Sequence, residues 1–352
     1  MNAIVNREIL RRFGMSPTDA EICQLGRGLI HRTLLCRSGE AVTVLQSVNL
    51  DVFPDPELLA ANTRRVVDCL AEAADRGEYP LEVARPLGSL VRVGEEVWRA
   101  TTHIDGTYSI DRADTPERAR AGAAAFGSFC AALTAIDPTE LGEVLPGFHD
   151  FDARLARFEE ALDADMEGRA AGANEAIEYC RGCSGFAPEL RAICDALPVR
   201  VCHNDTKINN LLFDAEDHRP RAVVDLDTCM PGRWMHDFGD IVRTFCPAED
   251  ENSTKTDQVR VREDLFQAVC EGFTGPLGAH LTPDERESLW AGALTMPLML
   301  GTRFLTDHLA GDIYFHTDRA HQNLDRARNQ FALHRDLVSR ENELRRHLCE
   351  KK

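Results

Sequence analysis

The chain has 352 residues, of which 43% are hydrophobic and 28% are charged, values that are ordinary for a globular enzyme with room for two lobes. Acidic residues outnumber basic residues by 58 to 40, for a formal net charge of −18. This excess argues against a nucleic-acid-binding surface or an anionic-membrane surface, because both need clustered lysine and arginine.

Targeting signals and cysteine usage favour a cytoplasmic protein. The N-terminus lacks the apolar segment of a signal peptide, and the longest nearly apolar run, Ala291 to Gly301, is too short to span a bilayer. The twelve cysteines follow no framework spacing, so we expect mostly free thiols in a reducing compartment. For the C-x-x-C pair at Cys180 and Cys183, incidental thiols are favoured over zinc or redox chemistry, because no second pair accompanies it. No feature calls for an obligate protein partner.

The first hundred residues are rich in strand patterns, and one helix interrupts them. The spacing of Leu58, Leu59, Val66 and Leu70 predicts that helix from Pro56. Strands are predicted at 21–25, 33–36, 41–48 and 96–101. From Ala119 onward helical patterns dominate. We therefore predict an α+β protein with a small β-rich N-lobe at 1–98, a hinge at 99–106 and a helical C-lobe at 107–352.

Short strands interrupt the helical part at 200–202, 211–213 and 222–225. Near the end, Thr282 and Glu285 form a capping box with proline at the first helical position, which predicts a helix running to Leu309 with a kink at Pro297. A last amphipathic helix is predicted from Leu324 to Leu344.

The sharpest signal is the run from Val201 to Phe213, which has the form H-x-D-x-x-x-x-N of a kinase catalytic loop. Phosphoryl transfer needs a carboxylate that orients the attacking hydroxyl and oxygen ligands for magnesium. We predict Asp205 as the catalytic base, and Asn210, five residues on, and Asp225, twenty residues on at a strand end, as Mg²⁺ ligands. Lys207 is predicted to stabilise charge on the transferred phosphate. An isolated His-x-Asp sequence is more often part of a turn. The prediction rests on the order and spacing of all these residues together with the strands that flank them.

Asp237-Phe238-Gly239 spells the DFG motif of protein kinases, but it follows Asp205 by thirty-two residues, which is too far for the metal role. We expect Asp237 to accept hydrogen bonds from the backbone of the catalytic loop. A cap at a helix start is the alternative for this residue, and the role of Asp240 stays open.

Gly26 and Gly28 lie between two predicted strands, where their backbone could approach phosphate oxygens, although most Gly-x-Gly hairpins are simple turns. A protein kinase would next present a lysine on its third strand. This chain has Gln46 there, and its N-lobe contains no lysine. The phosphate cation is then Arg32, the lysine of the catalytic loop, or the metal alone. Glu57 could partner such a lysine, but a solvated helix face is favoured.

Seven stretches together match the pattern of one superfamily and cover most of the chain: Gly26–His31, Val44–Asn49, Val52–Pro56, Phe148–Asp150, His203–Asn210, Val224–Gly232 and Arg303–Phe315. The chain resembles the aminoglycoside phosphotransferase and choline kinase superfamily and, within it, the N-acetylhexosamine 1-kinases. The resemblance implies a bilobal, protein-kinase-like fold. It also implies an ATP- and Mg²⁺-dependent kinase that converts GlcNAc or GalNAc to the sugar 1-phosphate.

The same resemblance implies roles for residues outside the catalytic loop. The link between the lobes, through Thr102 and Ile104, would hydrogen-bond adenine, and Gln46 would lie in the nucleotide site. The sugar-binding residues it implies are His31, Asp227, Arg303, Asp307 and Tyr314. From the residues alone, Arg303 and Asp307 are four apart on one helix and could simply form an exposed ion pair.

Two other functions stay open. The same chemistry could act on another small alcohol, such as an aminoglycoside, choline, inositol or a different amino sugar. A pseudokinase that binds sugar or nucleotide without turnover is the second alternative, and the intact set of Asp205, Asn210 and Asp225 argues against it. A protein kinase is disfavoured because no long activation segment with an Ala-Pro-Glu signature follows Asp225.

Overall fold

The computed structural model describes residues 7–26 and 30–349. Its N-terminal part is an antiparallel sheet of five strands in the order β1-β2-β3-β5-β4. The strands are β1 (Glu21–Gln24), β2 (Arg32–Ser38), β3 (Ala41–Val48), β4 (Val91–Val93) and β5 (Glu96–Thr102). The four predicted strands are confirmed. The sequence patterns missed β4, which is only three residues long.

The two faces of this sheet have different environments. Helix α1 (Arg7–Arg12) covers one face with Ile9 and Leu10, which pack on Leu34, Leu45 and Trp98. The other face carries polar residues at directly opposed register positions, Thr33 on β2, Gln46 on β3 and Arg99 on β5. Successive residues of a strand point to opposite faces, so this polar row faces away from the α1 core.

Helix α2 (Pro56–Asp75) follows β3, starts at the predicted proline and extends five residues past the predicted end. Asp55 caps it by accepting a hydrogen bond from the backbone N–H of Leu58 at 2.9 Å. Its buried side joins the core of the helical part through Val66 and Leu70. This helix therefore links the sheet to the rest of the protein.

The remainder of the chain is mainly helical, as predicted. Its helices are α3 (Pro116–Ala132), α4 (Phe151–Ala164), α5 (Asn174–Gly182), α6 (Phe186–Ala196), α7 (Trp234–Phe245), α8 (Glu263–Leu277), α9 (Pro283–Ala310), α10 (Gln322–Ser339), α11 (Glu341–Leu344) and α12 (Arg346–Cys349).

Its short strands are β6 (Thr107–Tyr108), β7 (Arg200–Cys202), β8 (Leu211–Asp214), β9 (Pro220–Val223) and β10 (Met230–Gly232). The predicted α+β class is confirmed. The residue bounds of the lobes stay a prediction. Strand β5 crosses the boundary predicted at residue 98.

Helix α9 begins with the predicted capping box and continues without interruption through Pro297. It packs on α7 at unusually close range. A Cβ atom on Gly239 of α7 would lie 2.1 Å from the carbonyl oxygen of Gly292 on α9, and a Cβ on Gly292 would lie 1.9 Å from the carbonyl oxygen of Met235. Only glycine permits this backbone contact.

Several expectations about the chain as a whole can be compared with the described ranges. None of their helices combines the length and apolar character that crossing a bilayer requires. Cys180 is a free, buried thiol whose sulfur lies 3.3 Å from the Oγ1 of Thr302. The interpretation of the C-x-x-C pair as incidental thiols stays a prediction. Cytoplasmic localisation stays a prediction.

Candidate active site

The predicted catalytic loop connects β7 to β8, and its first residue is fixed from several sides. The His203 ring packs against Phe126 and Phe129, with ring centroids 5.6 and 5.5 Å apart. Its Nδ1 accepts the backbone N–H of Asp205 at 3.3 Å, so its Nε2 carries the hydrogen and donates to the carbonyl of Val224 at 3.1 Å. The imidazole therefore joins the loop to the segment that carries Asp225.

Asp237 supports the same loop from helix α7. Its carboxylate accepts the backbone N–H of His203 at 3.0 Å and that of Asn204 at 2.7 Å, which confirms the role expected for it. Burial raises the pKa of Asp237 to about 6, although His203 and the two backbone donors act to lower it. Asn204 adopts a left-handed backbone with φ of 64°, a strained conformation typical of functional loops.

Asp205 is flanked by two donors that leave part of its carboxylate free. Lys207 Nζ lies 2.8 Å from Oδ2, and the side-chain N–H of Asn210 donates to the same oxygen at 3.0 Å. Oδ1 accepts no hydrogen bond from any described residue, so it can receive an acceptor hydroxyl. Burial acts to raise the pKa of Asp205, but the charge and hydrogen bond of Lys207, together with His203 and Asn210, keep the pKa below its ordinary value. Asp205 is therefore ionised at neutral pH.

The predicted metal ligands offer unused oxygen atoms. Asp225 has a left-handed backbone, with φ of 62° and ψ of 56°, and its exposed carboxylate makes no hydrogen bond or ion pair with a described residue. Partial desolvation by the surrounding protein and the nearby charge of Asp227 raise its pKa, although Lys207 opposes this effect. The amide oxygen of Asn210 also accepts no side-chain or backbone bond in the described ranges. A free amide oxygen together with a free carboxylate suits Mg²⁺, a hard cation that prefers oxygen ligands.

A complete metal cage is absent from the described residues: no three His, Cys, Asp or Glu side chains there come close enough to hold an ion by themselves. Magnesium usually binds through one or two carboxylates plus substrate phosphates and waters. Asp225 and Asn210 fit that pattern.

Asp240 lies one helical turn from Asp237 and is almost fully buried. Arg243 donates to its Oδ1 at 2.8 Å, while its Oδ2 has no partner in the described structure. Burial raises the pKa of Asp240, and Asp205 adds to that effect while Arg243 opposes it. The carboxylate thus belongs to the electrostatic surroundings of the catalytic loop, a connection that the sequence left open.

The predicted nucleotide residues of the sheet lie on different faces. Arg32 stacks on Trp98, 4.7 Å from its ring, and pairs with Glu96 at 3.1 Å, on the face that α1 covers. Gln46 lies on the opposite, polar face. Gly26 has φ of 67°, a conformation that favours glycine, and Gly28 lies outside the described residues.

The predicted adenine segment is held by its own hydrogen bonds. Thr102 exchanges two with Arg85: its backbone N–H donates to the Arg85 carbonyl at 2.9 Å, and its hydroxyl accepts the Arg85 N–H at 2.9 Å. The carbonyl of Ile104 accepts the hydroxyl of Thr107 at 2.8 Å. The adenine contact stays a prediction.

His31 and Asp227, predicted to bind the acceptor, meet each other and a residue that the sequence analysis missed. His31 Nδ1 accepts the backbone N–H of Asn49 at 3.0 Å, so its Nε2 donates to Asp227, 2.6 Å away. Arg99 of β5 donates to both oxygens of Asp227, at 2.5 and 2.6 Å. Although burial acts to raise it, Arg99 and His31 hold the pKa of Asp227 well below its usual range. No sequence pattern points to Arg99, because only the register of β3 with β5 places it on this face of the sheet.

Arg303 and Tyr314 come together at the end of α9. The guanidinium of Arg303 lies 5.3 Å from the ring of Phe148, 5.5 Å from that of Tyr314 and 5.3 Å from that of Phe315. Burial lowers its pKa, while Tyr314 and Asp205 act to raise it, so Arg303 lies within electrostatic reach of the predicted base. It forms no ion pair with a described carboxylate, and the alternative of a pair with Asp307 is not realised.

Asp307 is committed to the backbone of the following segment. Its carboxylate accepts the N–H groups of Ile313, Tyr314 and Phe315 at 2.9, 2.7 and 2.9 Å. The side chain of Asn323 donates a fourth bond at 2.9 Å. These contacts indicate that Asp307 positions the aromatic residues around Arg303. The direct sugar contact that the resemblance implied stays a prediction.

A buried histidine, His236, and a half-buried one, His149, extend this region, and the sequence analysis assigned them no role. The rings of His149 and His236 lie 4.6 Å apart. Burial lowers the pKa of both, that of His236 to about 4, so both are neutral at pH 7. The Nε2 of His236 has no partner in the described structure. We call Phe148, His149, His236, Arg303, Tyr314 and Phe315 the α9 cluster.

Residues 21–277 match the sequence pattern of the phosphotransferase enzyme family. The chain belongs to this family. The predicted superfamily is confirmed, and so is the general activity of a small-molecule kinase that phosphorylates an alcohol. The identity of that alcohol is not decided by membership.

Solved structures share the fold of this phosphotransferase at low sequence identity. A microcompartment-associated aminopropanol kinase is 15% identical over 96% of this chain and 98% of its own, with a TM-score of 0.62. A choline kinase from Cryptosporidium parvum is 14% identical over 96% and 95%, with a TM-score of 0.52. A mutant aminoglycoside phosphotransferase in ternary complex with ADP and hygromycin B is 15% identical over 93% and 97%, with a TM-score of 0.53. These likenesses confirm the predicted kinase-like fold.

Proposed function

We propose that this phosphotransferase uses ATP and Mg²⁺ to phosphorylate the anomeric hydroxyl of an N-acetylhexosamine, GlcNAc or GalNAc, giving the sugar 1-phosphate. The observation that carries the acceptor class is Arg303, a cation without an acidic partner in the described structure, enclosed by three aromatic rings and within electrostatic reach of Asp205. Membership in the family and the resemblance described above supply the reaction type.

The charge of Arg303 disfavours the cationic acceptors. An ammonium group held about 4–8 Å from this guanidinium would lose about 2–4 kcal/mol by repulsion at an effective dielectric constant near 20. Choline, ethanolamine and aminoglycosides all carry such groups, whereas an N-acetylhexosamine is neutral. Its acetamido oxygen and ring hydroxyls can accept hydrogen bonds from a guanidinium. The rings around Arg303 offer flat apolar surface to the sugar.

The catalytic loop supplies the groups that the transfer needs. Asp205 orients the anomeric hydroxyl through its free Oδ1 and accepts its proton as the bond to phosphorus forms. Lys207, held by Asp205, is placed to stabilise charge that develops on the transferred phosphoryl group. Asp225 and Asn210 would hold Mg²⁺, which neutralises phosphate charge when bound. One structural neighbour was solved with ADP, which supports an adenine nucleotide as the donor.

An assay of acceptors tests the proposal. The protein is incubated with Mg-ATP and equal concentrations of GlcNAc, GalNAc, glucose, inositol, choline, ethanolamine or an aminoglycoside, and the products are identified by phosphorus NMR. We expect the highest kcat/KM for a 2-acetamido sugar, with phosphate on C1. The methyl glycoside of GlcNAc, whose anomeric oxygen is capped, should bind competitively without being phosphorylated.

Phosphate on that glycoside, or on choline at comparable kcat/KM, would overturn the 1-kinase proposal and leave family membership intact. Absence of transfer to every acceptor, with retained ATP binding, would favour the pseudokinase alternative.

A further inference from the structure

The polar face of the N-terminal sheet lacks the lysine that kinases use to bind nucleotide phosphates. In protein kinases this lysine lies on the third strand and pairs with a glutamate of a nearby helix. Here β3 carries Gln46, and no lysine precedes Lys207 in the chain. A nucleotide placed beside Asp225 and Asp227 still needs local positive charge, because the protein as a whole carries −18.

Arg99 reaches this place from the neighbouring strand. Gln46 and Arg99 are directly opposed in the β3–β5 ladder, so their side chains leave the sheet on the same face. Arg99 Nε donates to the amide oxygen of Gln46 at 2.9 Å, and the Gln46 amide donates to the hydroxyl of Thr33 at 3.1 Å. The residue in the lysine position therefore holds the arginine in place.

The far end of Arg99 lies beside the predicted metal site. Its two terminal nitrogens bind the two oxygens of Asp227, and Asp227 lies two residues after Asp225. Asp225 also acts electrostatically on Arg99 and, with Asp227, keeps the pKa of the arginine above its ordinary value despite burial. Arg99 therefore lies near the residue that would hold the metal, where a cation can meet the phosphates of a metal-bound nucleotide.

Arg99 retains donors for a ligand. A guanidinium has five N–H groups; Gln46 takes one and Asp227 takes two, and no other described residue accepts from the remaining two. The Arg99 side chain is 14% exposed, against 4% for Asp227, so the arginine is the more accessible member of the pair.

We propose that Arg99 binds the phosphates of the nucleotide, and that the Arg99–Asp227 pair takes the place of the lysine–glutamate pair of kinases. In protein kinases the cation is on β3 and the acid is on a helix; here the cation, Arg99, is on β5 and the acid, Asp227, is in the loop after β9. This inference rests on the ATP-dependent part of the proposed function, and its test needs no acceptor.

The other candidates are engaged elsewhere. Arg32 stacks on Trp98 on the opposite face of the sheet. Glu57, the possible partner of a lysine, is exposed and pairs with Arg92 at the surface, which confirms its interpretation as a solvated residue. Lys207 is bound to Asp205 and is assigned above to the transferred phosphoryl group. Arg99 alone among these cations lies on the polar face of the sheet.

Equilibrium binding of Mg-ADP and of adenosine, by calorimetry, tests the assignment. A charged hydrogen-bonding partner lost from a phosphate weakens binding about 10- to 100-fold. We expect Arg99→Gln to weaken Mg-ADP by that factor and to leave adenosine within about twofold of the wild type. Arg92→Gln, which breaks an arginine–acid pair at the surface of the same sheet, is the matched control and should change neither constant.

A rescue variant adds a gain of function. Introducing Gln46→Lys into the Arg99→Gln protein returns a cation to β3 and should recover part of the lost Mg-ADP affinity. If Arg99→Gln does not fold, Arg99→Lys is measured in the same way, and a weaker Mg-ADP constant with unchanged adenosine binding is expected, because lysine cannot hold Asp227 and a phosphate in fixed geometry together.

Three results would overturn the inference: unchanged Mg-ADP affinity in Arg99→Gln, equal loss of adenosine and Mg-ADP, or loss of Mg-ADP binding in Arg32→Gln alone. The calorimetric titration with Mg-ADP is carried out without any phosphate acceptor. A wild-type protein that binds Mg-ADP but phosphorylates no sugar therefore contradicts only the acceptor proposal. Failure of the wild type to bind Mg-ADP at all would contradict the ATP-dependent kinase itself.

Discussion

The carboxylate of Asp237 accepts the backbone N–H of Asn204 at 2.7 Å, and this bond ties helix α7 to the left-handed turn that presents Asp205. The backbone N–H of His203 donates to the other oxygen of the same carboxylate, so both oxygens of Asp237 hold the loop. The DFG letters of the sequence thus label a residue that supports the catalytic loop, while Asp225, at the spacing of the metal ligand, keeps its oxygens free.

The support by Asp237 has a measurable pH dependence. Burial raises its pKa from an ordinary 3.8 to about 6, so the folded protein holds this proton more tightly than the unfolded chain. Its contribution to stability is fully present below about pH 4 and is lost as the pH rises through about 6, a change of about 3 kcal/mol. Relative to Asp237→Asn, the wild type should lose that unfolding free energy between pH 4 and 6.5 in urea titrations. A constant difference over this range would contradict the buried, proton-binding carboxylate.

Replacement of the base should affect turnover and spare nucleotide binding. Asp205→Asn keeps the side-chain shape but cannot take the proton, so kcat should fall by about 10²-fold or more with little change in the KM for ATP. Steady-state kinetics provide both constants. Asp152→Asn, which breaks a surface pair with Arg191, is the control. Near-normal turnover in folded Asp205→Asn would remove Asp205 from the base role.

Metal binding should depend on the carboxylate that the protein itself leaves unpaired. Asp225→Ala is expected to abolish activity and to weaken Mn²⁺ or Mg²⁺ binding in the presence of ADP, measured by calorimetry or Mn²⁺ paramagnetic resonance. Asp68→Ala, on the exposed side of α2, should leave both unchanged. Full activity of the wild type in excess EDTA would contradict the metal requirement.

The α9 cluster should govern the acceptor and not the nucleotide. Arg303→Ala removes the cation enclosed by three rings, so the KM for the sugar should rise about tenfold or more while the KM for ATP stays within about twofold. Arg335→Ala is a close match for comparison, since that arginine also stacks on a tyrosine, 4.1 Å from the ring of Tyr179. If Arg303→Ala instead raised the KM for ATP alone, the arginine would belong to the nucleotide site.

Asp307 should act through the segment it anchors. Asp307→Ala leaves three backbone N–H groups at 313–315 without their acceptor, and each lost bond costs about 1 kcal/mol or more. The melting temperature should fall, and the KM for the sugar should rise with it. A higher sugar KM at unchanged stability would instead indicate the direct contact that the resemblance implied.

Sequence patterns were sufficient where the signal is local. Spacing within one loop identified His203, Asp205 and Asn210, and the strand that precedes Asp225 was visible in its apolar run. The kinase-like fold followed from these motifs together with the change from strand to helix patterns.

Residues whose partners lie far along the chain were out of reach. Arg99 and Asp227 are 128 positions apart, and only the antiparallel register of β3 with β5 places the arginine beside Gln46. Arg32 is the cation closest to the glycines in sequence. Side chains one residue apart on a strand point to opposite faces of the sheet, however, and Arg32 lies on the face away from Gln46. The commitment of Asp307 to backbone donors depends on how the chain turns after α9, which no periodicity predicts.

The direct backbone contact between Gly239 and Gly292 fixes the position of α9 relative to α7. Eleven residues, roughly 16 Å of helix at 1.5 Å per residue, separate Gly292 from Arg303. A single methyl group at either glycine would force the two helices apart and carry the far end of α9 with them. A substitution at either glycine is therefore expected to move Arg303 from about three helical turns away, which would alter the predicted acceptor pocket without changing its own residues.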